Sequence, residues 1–334
     1  MPPLKQTRMQ ALKAAVATRA RWLLVLCALG SLSAPLARLL PAEGATQQLQ
    51  WVLELAAHWQ WLYLVLGAVC LAILLLLQRA WWLLGPLGVL AASFGLQSGT
   101  LPQQAQPVNA EAVLTVGTAN LALGTTDFSA LVTWLQSADA PDVVFLQEFT
   151  DAAQHALKVP GLTERYPHRV EAPQPDPFGL AILSRLPLSD VQRLAPADAA
   201  ALTTLRLRAG LTLPSGQAVR LAAVHPMPPL SAAYARARDE TLAEEARHLA
   251  QPGALAVMAG DFNTTPWARG LFAVEGQLRR ASGSVPSWPN AWGLLSVLPL
   301  DHVLASSGWR LVDARQGPDL GSDHRPVVVR LAAP

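Results

Sequence analysis

Charge and cysteine are both scarce in this chain of 334 residues. Charged residues make up 14% of it and hydrophobic ones 51%, an imbalance seldom carried by a chain that folds wholly in water. The two cysteines, Cys27 and Cys70, both lie in apolar segments near the N-terminus. Beyond residue 70 there is none, which excludes an internal disulfide, a thiolate nucleophile and a cysteine-ligated metal from the rest of the chain. Such avoidance of thiols fits an exported domain. No HxxEH-type pattern is present either, which argues against a zinc site. A basic excess is missing as well: from Glu111 onward there are 18 basic and 21 acidic residues, a net charge of −3. Duplex-binding domains usually present a basic surface, so bulk charge gives that reading no support, although local patches stay open.

What is abundant is apolar sequence, concentrated in the first hundred residues. Three segments, at about 22–40, 57–77 and 81–97, read as transmembrane helices. The first contains Pro35 and Arg38. Trp59, Trp61 and Tyr63 stand at one end of the second, as interfacial aromatics do. A basic start followed by an apolar stretch also reads as a cleaved signal peptide, but two more apolar segments follow at once and would keep the chain in the membrane. Lys5, Arg8, Lys13, Arg19 and Arg21 precede the first segment, Arg79 lies between the second and third, and the next basic residue is Lys158. The positive-inside rule then places the N-terminus in the cytoplasm and, after three spans, the C-terminal part outside a bacterial inner membrane. If the first segment does not span, that part is cytoplasmic. Residues 1–98 thus form a multi-pass membrane region, 99–110 a Pro- and Gln-containing linker, and 111–334 a separate domain. No internal repeat is visible.

The C-terminal domain is organised around Ala259-Gly260-Asp261-Phe262-Asn263-Thr264. The apolar run 254–258 before it reads as a buried strand, with Gly260 letting the chain bend as the strand ends. Asp261 and Asn263, two apart on an extended segment, would face one pocket, a carboxylate and a carboxamide together. The same pattern also occurs as a plain turn. Other polar residues recur at predicted strand ends. Asn120 follows the run 112–119, and Glu148 follows Val143–Gln147. His225 ends 219–224, and Asp301 opens 301–304. Ser322-Asp323-His324 precedes 327–331. Each has a bland reading: a turn for Asn120, a salt bridge for Glu148, a structural histidine for His225. Helices are predicted over 128–136 and 232–249, the latter with its charges (Arg236, Arg238, Glu240, Glu244, Glu245, Arg247) on a solvated face. Trp288 and Trp292 lie in a Pro-rich loop, where they could grip a substrate, touch a bilayer or only pack the loop. His302 reads as structural, and His155, His168 and His248 have no site context.

Taken in order, "TAN", "PDVVFLQE", "GLAILSR", "VHP", "GDFNTTP", "LDHVL" and "GSDHRP" resemble the endonuclease/exonuclease/phosphatase superfamily over about 111–332. That superfamily includes type I deoxyribonuclease-like nucleases, abasic-site endonucleases, neutral sphingomyelinases and inositol phosphatases. The resemblance implies an α/β fold, a four-layer sandwich of two mostly antiparallel sheets flanked by helices. It implies Mg²⁺ or Mn²⁺ at Glu148, with Asn120 and Asp323 near metal and phosphate. It gives Asp261 the attacking water, Asn263 the phosphoryl oxygens, and His225 the transition state or leaving group. His324, polarised by Asp301, would be base or phosphate ligand. With the apolar N-terminus, the chain also resembles membrane-embedded glycopeptide-resistance proteins of this superfamily, thought to act on undecaprenyl pyrophosphate. The expected partners are therefore a lipid bilayer and a phosphorylated lipid substrate, with no obligate protein partner visible. A membrane-anchored nuclease, with nucleic acid as substrate, is the alternative. A non-catalytic scaffold is the least favoured, because such proteins usually lose site residues and none is missing here.

Overall fold

The computed structural model describes residues 4–41, 44–78, 84–95, 113–196, 202–274 and 276–334. The chain divides into two units, one over residues 1–97 and 267–269 and one over residues 98–266 and 270–334. The linker expected at 99–110 lies outside the described residues.

The first unit is helical: α1 (Leu4–Ser31), α2 (Ser33–Leu39), α3 (Gln47–Ala57), α4 (Gln60–Gln78) and α5 (Leu84–Gly95). Pro35 falls in the first turn of α2, where a missing N–H costs no helical hydrogen bond. Two stretches are long and apolar enough to cross a membrane, Arg8–Leu39 and Gln60–Leu77. The first differs from the expected span at 22–40, because the helix begins at Leu4 and takes in the basic residues that were to precede it. The third expected span is described only as α5, 12 residues long and shorter than a bilayer requires. Among the described residues, therefore, two candidate spans stand where three were expected.

Burial in this unit is inverted. Trp22, Leu26 and Leu29 on α1 and Val65, Val69 and Leu76 on α4 are exposed. On α3, Leu49 and Val52 are exposed while Gln50, Glu54 and Ala57 are buried. Gln50 Nε2 donates to Glu54 Oε2 at 3.1 Å, and Gln60 Nε2 donates to the Ser31 carbonyl at 3.2 Å. Small and apolar residues (Ala17, Ala20, Leu24, Cys27, Cys70, Leu74) form the contact where α1 meets α4.

The second unit stacks two six-stranded sheets. One contains β1 (Val113–Asn120), β2 (Val143–Gln147), β3 (His168–Ala172), β4 (Leu180–Ser184), β11 (Arg310–Gln316) and β12 (Val327–Ala332), in the order β11-β12-β1-β2-β4-β3. The other contains β5 (Leu188–Leu194), β6 (Arg206–Thr212), β7 (Ala218–Val224), β8 (Leu255–Asp261), β9 (Arg279–Arg280) and β10 (Asp301–Ala305), in the order β5-β6-β7-β8-β10-β9. Each sheet has a single parallel pair, β1 with β2 and β7 with β8; the remaining pairs are antiparallel. Parallel neighbours need a crossover, supplied in one sheet by α6 (Ser129–Gln136) and in the other by α9 (Ala232–Leu249).

The period of two along each strand builds the layers. Leu114, Val116, Val143, Phe145, Leu221, Ala223, Val257, Ala259, Val303 and Val329 fill the space between the sheets. Val144 and Leu146 face outward onto Leu131 and Leu135 of α6, with α7 (Asp151–Ala156) and α8 (Leu162–Arg165) beside them. Ala222, Val224 and Met258 face outward onto Leu242 and Leu249 of α9. The result is an α/β sandwich with helices on both outer faces. The face of α9 toward the sheet is not purely apolar. Arg238 and Glu245 are buried in it, while Arg236 and Glu240 form the exposed 2.7 Å pair expected of a solvated face.

Candidate active site

The same period aims the polar residues. Asn120 continues the inward register of Leu114 and Val116, and Asp261 continues that of Val257 and Ala259. His225 follows Leu221 and Ala223 in the same way, and Asp301 precedes Val303. The two parallel pairs bring the carboxyl ends of β1, β2, β7 and β8 to one edge of their sheets. Antiparallel β10 runs the other way, so its first residue, Asp301, lies opposite Asp261. Side chains that pack the core along the strand become, at its last position, side chains that meet across the sandwich.

Asp261 is the centre of this meeting. Its Oδ2 accepts from Asn120 Nδ2 at 3.1 Å and lies 3.5 Å from His225 Nε2 and 3.7 Å from His324 Nε2. Its Oδ1 accepts from the Asn263 N–H at 2.8 Å. Burial pushes the carboxyl up, but His324, His225 and the Asn263 N–H outweigh it and hold the pKa well below the usual carboxylate range. Burial likewise lowers His225, and Asp261, Glu148 and the Pro177 carbonyl, 2.9 Å from Nδ1, outweigh it and raise the ring. His324 Nδ1 lies 2.7 Å from Asp301 Oδ2. Burial lowers His324, and Asp301 and Asp261 together carry it up to about 10. Burial raises Asp301, and His324 opposes that rise.

Gly260 belongs to this geometry in a way the sequence did not suggest. The strand does not end before it but runs on through Asp261. A Cβ at Gly260 would stand 1.8 Å from the Val224 carbonyl oxygen, so glycine is needed for β7 and β8 to approach. Asn263 also departs from expectation. It lies past the strand in the left-handed region, φ 50°, a conformation asparagine tolerates. Its carboxamide does not stand beside the Asp261 carboxylate as an i, i+2 neighbour; Nδ2 donates to the Pro226 carbonyl at 3.1 Å.

Glu148 forms a second corner. It follows β2 at φ 54°, is half-buried, and accepts from Asn120 Nδ2 at 3.0 Å and from the Leu123 N–H. Asn120 therefore bridges Glu148 and Asp261 with one amide nitrogen, while its Oδ1 accepts from the Ala122 N–H at 2.9 Å. Asp323 is not joined to this network by a hydrogen bond. Its carboxylate is exposed and accepts from Trp288 Nε1 at 3.2 Å, although its charge contributes to raising His324. Trp288 and Trp292 lie with ring centroids 6.5 Å apart, and Trp292 is exposed. His302 is buried against the Thr264 carbonyl at 2.9 Å and pushed down to about 4, chiefly by burial, so it is neutral.

Three supports escaped sequence reasoning. Asn290 ties the tryptophan loop to the turn before His324: Nδ2 donates to the Ser322 carbonyl at 2.9 Å, and Oδ1 accepts from Arg325 Nε at 2.7 Å. Buried Ser287 Oγ accepts from the Leu300 and Asp301 N–H groups, each at 3.1 Å. Arg238 Nη1 donates to the Asn263 carbonyl at 3.0 Å. A buried polar residue at helical spacing among apolar ones (Arg238, Leu242, Glu245, Leu249) was the available signal for the last.

Two places offer oxygen ligands for a cation. Asp261, Asp301 and His324 each place a ligand atom within 4.8 Å of the others. In this cluster Asp301 Oδ2 and His324 Nδ1 already engage each other at 2.7 Å, and Asp261 Oδ2 already accepts from Asn120. The Glu148 corner fits better. It is more open, its carboxylate oxygens retain lone pairs, and no cationic side chain bonds to it. Hard oxygen donors with few carboxylates suit a Mg²⁺-like ion.

An open carboxylate beside a buried Asp–His–Asp array is a set of groups able to hold a hard cation and to orient a water and an anionic oxygen. Residues 117–324 match the Endonuclease/Exonuclease/phosphatase family, and the chain belongs to that family. Its members are divalent-metal-dependent phosphoester hydrolases, and this chain is an enzyme of that class. No curated protein matches the chain. Among solved structures, an endonuclease/exonuclease/phosphatase from Beutenbergia cavernae is 20% identical, with a TM-score of 0.54 over 66% of this chain and 72% of that one. D. rerio TDP2 humanized by 14 mutations is 18% identical, with a TM-score of 0.55 over 66% of this chain and 100% of that one. D. rerio TDP2 complexed with a single-strand DNA product is 18% identical, with a TM-score of 0.52 over 66% and 100%. These likenesses establish the fold.

Proposed function

We propose that the chain is a membrane-anchored, Mg²⁺- or Mn²⁺-dependent hydrolase of a phosphorylated lipid, such as undecaprenyl pyrophosphate, at the outer face of a bacterial inner membrane. The observation that carries the membrane part is the inverted burial of the first unit. Only 33% of an apolar 18-residue stretch within Arg8–Leu39 and 28% of Gln60–Leu77 is buried, whereas the core helix of a water-soluble protein is mostly covered. Apolar side chains facing out and Gln50, Glu54 and Gln60 facing in suit a lipid surround. An anchor holds the catalytic unit near lipid head groups and raises their effective concentration.

In the chemistry, Glu148 would hold the metal, with Asn120 fixing that carboxylate. When bound, the ion neutralises charge on the phosphoryl oxygens. Asp261, kept ionised, sets the attacking water's line of approach and takes its proton as the new P–O bond forms and the bond to the leaving oxygen breaks. His324, protonated by its setting between Asp301 and Asp261, donates to a phosphoryl oxygen and is not the resting base. His225, also raised, donates toward the transition state or leaving group. Asn263 serves this array from the Asp261 side, and Asp323 acts through its charge and through its hold on Trp288. Trp288 and Trp292 present an aromatic surface beside the turn that carries His324, suited to the apolar part of a lipid.

The alternative, an anchored nuclease, draws on the D. rerio TDP2 structure that holds a single-strand DNA product. The net charge of −3 after residue 111 weighs against it. The test is a side-by-side assay of the full chain with undecaprenyl pyrophosphate, common phospholipids and plasmid DNA, with Mg²⁺ or Mn²⁺ added or chelated. Phosphate release from the lipid pyrophosphate is expected, lost on chelation and reduced about 10²–10⁴-fold in Asp261→Ala. Nicked DNA with intact lipid would make the chain a nuclease. A reporter fused after Pro334 and active only in the cytoplasm would overturn the outward orientation.

A further inference from the structure

The turn that carries His324 is irregular. Residues 317–326 join β11 to β12, and the Gly317 N–H closes the base by donating to the Pro326 carbonyl at 2.7 Å. Leu320 is buried against the outer core of the same sheet. Two local bonds shape the tip: the Gly321 N–H donates to Asp319 Oδ1 at 3.0 Å, and the His324 N–H to Ser322 Oγ at 3.1 Å. These bonds form the turn without tying it to the other sheet, which carries Asp261 and Asp301.

A short piece of the tryptophan loop, residues 287–290, supplies a tie. Its base is bonded to the start of β10, where the Leu300 and Asp301 N–H groups donate to Ser287 Oγ at 3.1 Å each. Its backbone meets the turn twice: the Arg325 N–H donates to the Ser287 carbonyl at 2.8 Å, and the Asn290 N–H to the Asp323 carbonyl at 2.7 Å. Trp288 Nε1 adds a bond to Asp323 Oδ2 at 3.2 Å. The side chain of Asn290 then uses both amide hydrogens and its oxygen. Nδ2 donates to the Ser322 carbonyl and to Asp319 Oδ1, each at 2.9 Å, and Oδ1 accepts from Arg325 Nε at 2.7 Å. Arg325 Nε can only donate, which fixes the orientation of the carboxamide.

The geometry points to Asn290 as a positioning residue for the hydrolysis, one that fixes the 319–325 turn so that the His324 ring stays 2.7 Å from Asp301 and 3.7 Å from Asp261. It grips the turn on both sides of Asp323-His324, from a segment that is itself bonded to Asp301, the partner of His324. An aspartate in its place could not do this. It would keep an acceptor for Arg325, but it would donate to neither Ser322 nor Asp319 and would set a second negative charge beside Asp319. The inference rests on the reading of His324 as the group that meets a phosphoryl oxygen, and not on which phosphoester is cut.

The test is Asn290→Asp, close in size and shape to the parent, made in the full chain in detergent micelles and read in two ways. Labelled histidine gives ring signals, and His324→Gln identifies those of His324. In Asn290→Asp the His324 signals should move or broaden, while those of His155 on α7 stay in place. Turnover with Mg²⁺ is followed on 4-nitrophenyl phosphate and bis(4-nitrophenyl) phosphate, which lack a lipid tail. Here kcat should fall about tenfold or more, the loss of one or two hydrogen bonds, with KM changed less than about twofold. The ring signals need no turnover, so a parent chain inert toward both esters would correct the substrate reading and leave this test standing. Unmoved His324 signals in a folded variant, an unchanged kcat, or a loss carried wholly by KM would overturn the inference. Should the variant not fold, hydrogen exchange in the unsubstituted chain decides. The Asn290 and Arg325 amides should exchange about 10²-fold or more slowly than free peptide, and unprotected amides there would overturn it.

Discussion

The two units of this chain put opposite things inside. In the first, large apolar side chains line the outer faces of α1 and α4, while Gln50, Glu54 and Gln60 are buried. In the second, among the described residues, large exposed apolar side chains are confined to Leu123, Val191, Leu230, Phe272 and Trp292, and the sheets enclose a continuous apolar core. One rule would produce both patterns under the proposed membrane location: apolar surface turned toward an apolar medium, the chain's own interior in the second unit and a bilayer in the first. The second unit adds a condition. Its buried charges are held by partners, Glu245 by Arg206 and Arg208, Asp261 by Asn120 and the two histidines, Asp301 by His324. A water-surrounded interior admits charge only in such arrays.

The largest effect expected from breaking that contrast is at Asp301. Asp301→Ala leaves His324 buried without the partner that holds it. The cost should be about 3–5 kcal/mol of stability, and the phosphoester hydrolase rate should fall about 10²–10⁴-fold. Denaturant unfolding and turnover, measured on the same preparation, check both; a stability within about 0.5 kcal/mol of the parent would mean that the pair is not buried as described. A smaller effect probes the other unit. Val69 lies near the middle of α4 with its side chain exposed. On a water-facing helix, Val69→Lys would change stability by less than about 0.5 kcal/mol, but facing hydrocarbon it should cost about 2.5–3.5 kcal/mol. Loss of the chain from the membrane fraction, or a large drop in detergent-solubilised stability, is the expected result. A neutral outcome would remove the main support for a lipid surround.

Much of the catalytic architecture was legible in the sequence because its residues end apolar strands. Asn120, His225 and Asp261 each end a largely apolar run that is visible as text, and Glu148 and Asp301 adjoin others. Edge strands were less legible. β5 and β11 read LSDVQRL and RLVDARQ, half-exposed and charged, and pair because a neighbour's free edge is available rather than through a pattern of their own. β6, Arg206–Thr212, is also faint as text, because Ala209 and Gly210 weaken its alternation. Ser287, Asn290 and the Pro177 carbonyl escaped entirely, since each acts through contacts set by tertiary structure. The basic residues before the first apolar segment misled in the opposite sense. They read as a flank, but helix propensity carries α1 through them to Leu4.

The least invasive test changes only protonation, in protein freed of metal by chelation. His324 is raised in the folded state from 6.5 to about 10. Its contribution to stability is therefore complete below about pH 6.5 and is lost as pH rises toward 10, because the unfolded chain releases that proton first. His225 and Asp301 are also raised and act in the same sense. Asp261 is depressed below 3.8 and acts in the other: its contribution is present above that value and is lost as pH falls through its lower folded pKa. The thermal midpoint of the second unit should climb from strongly acidic pH, level off near pH 5–6, and decline through the alkaline range. His324→Gln should lower the plateau and flatten the alkaline decline while leaving the acidic rise. A decline of unchanged slope in that variant would place the alkaline titration elsewhere and detach His324 from the buried array that sets the second unit apart from the first.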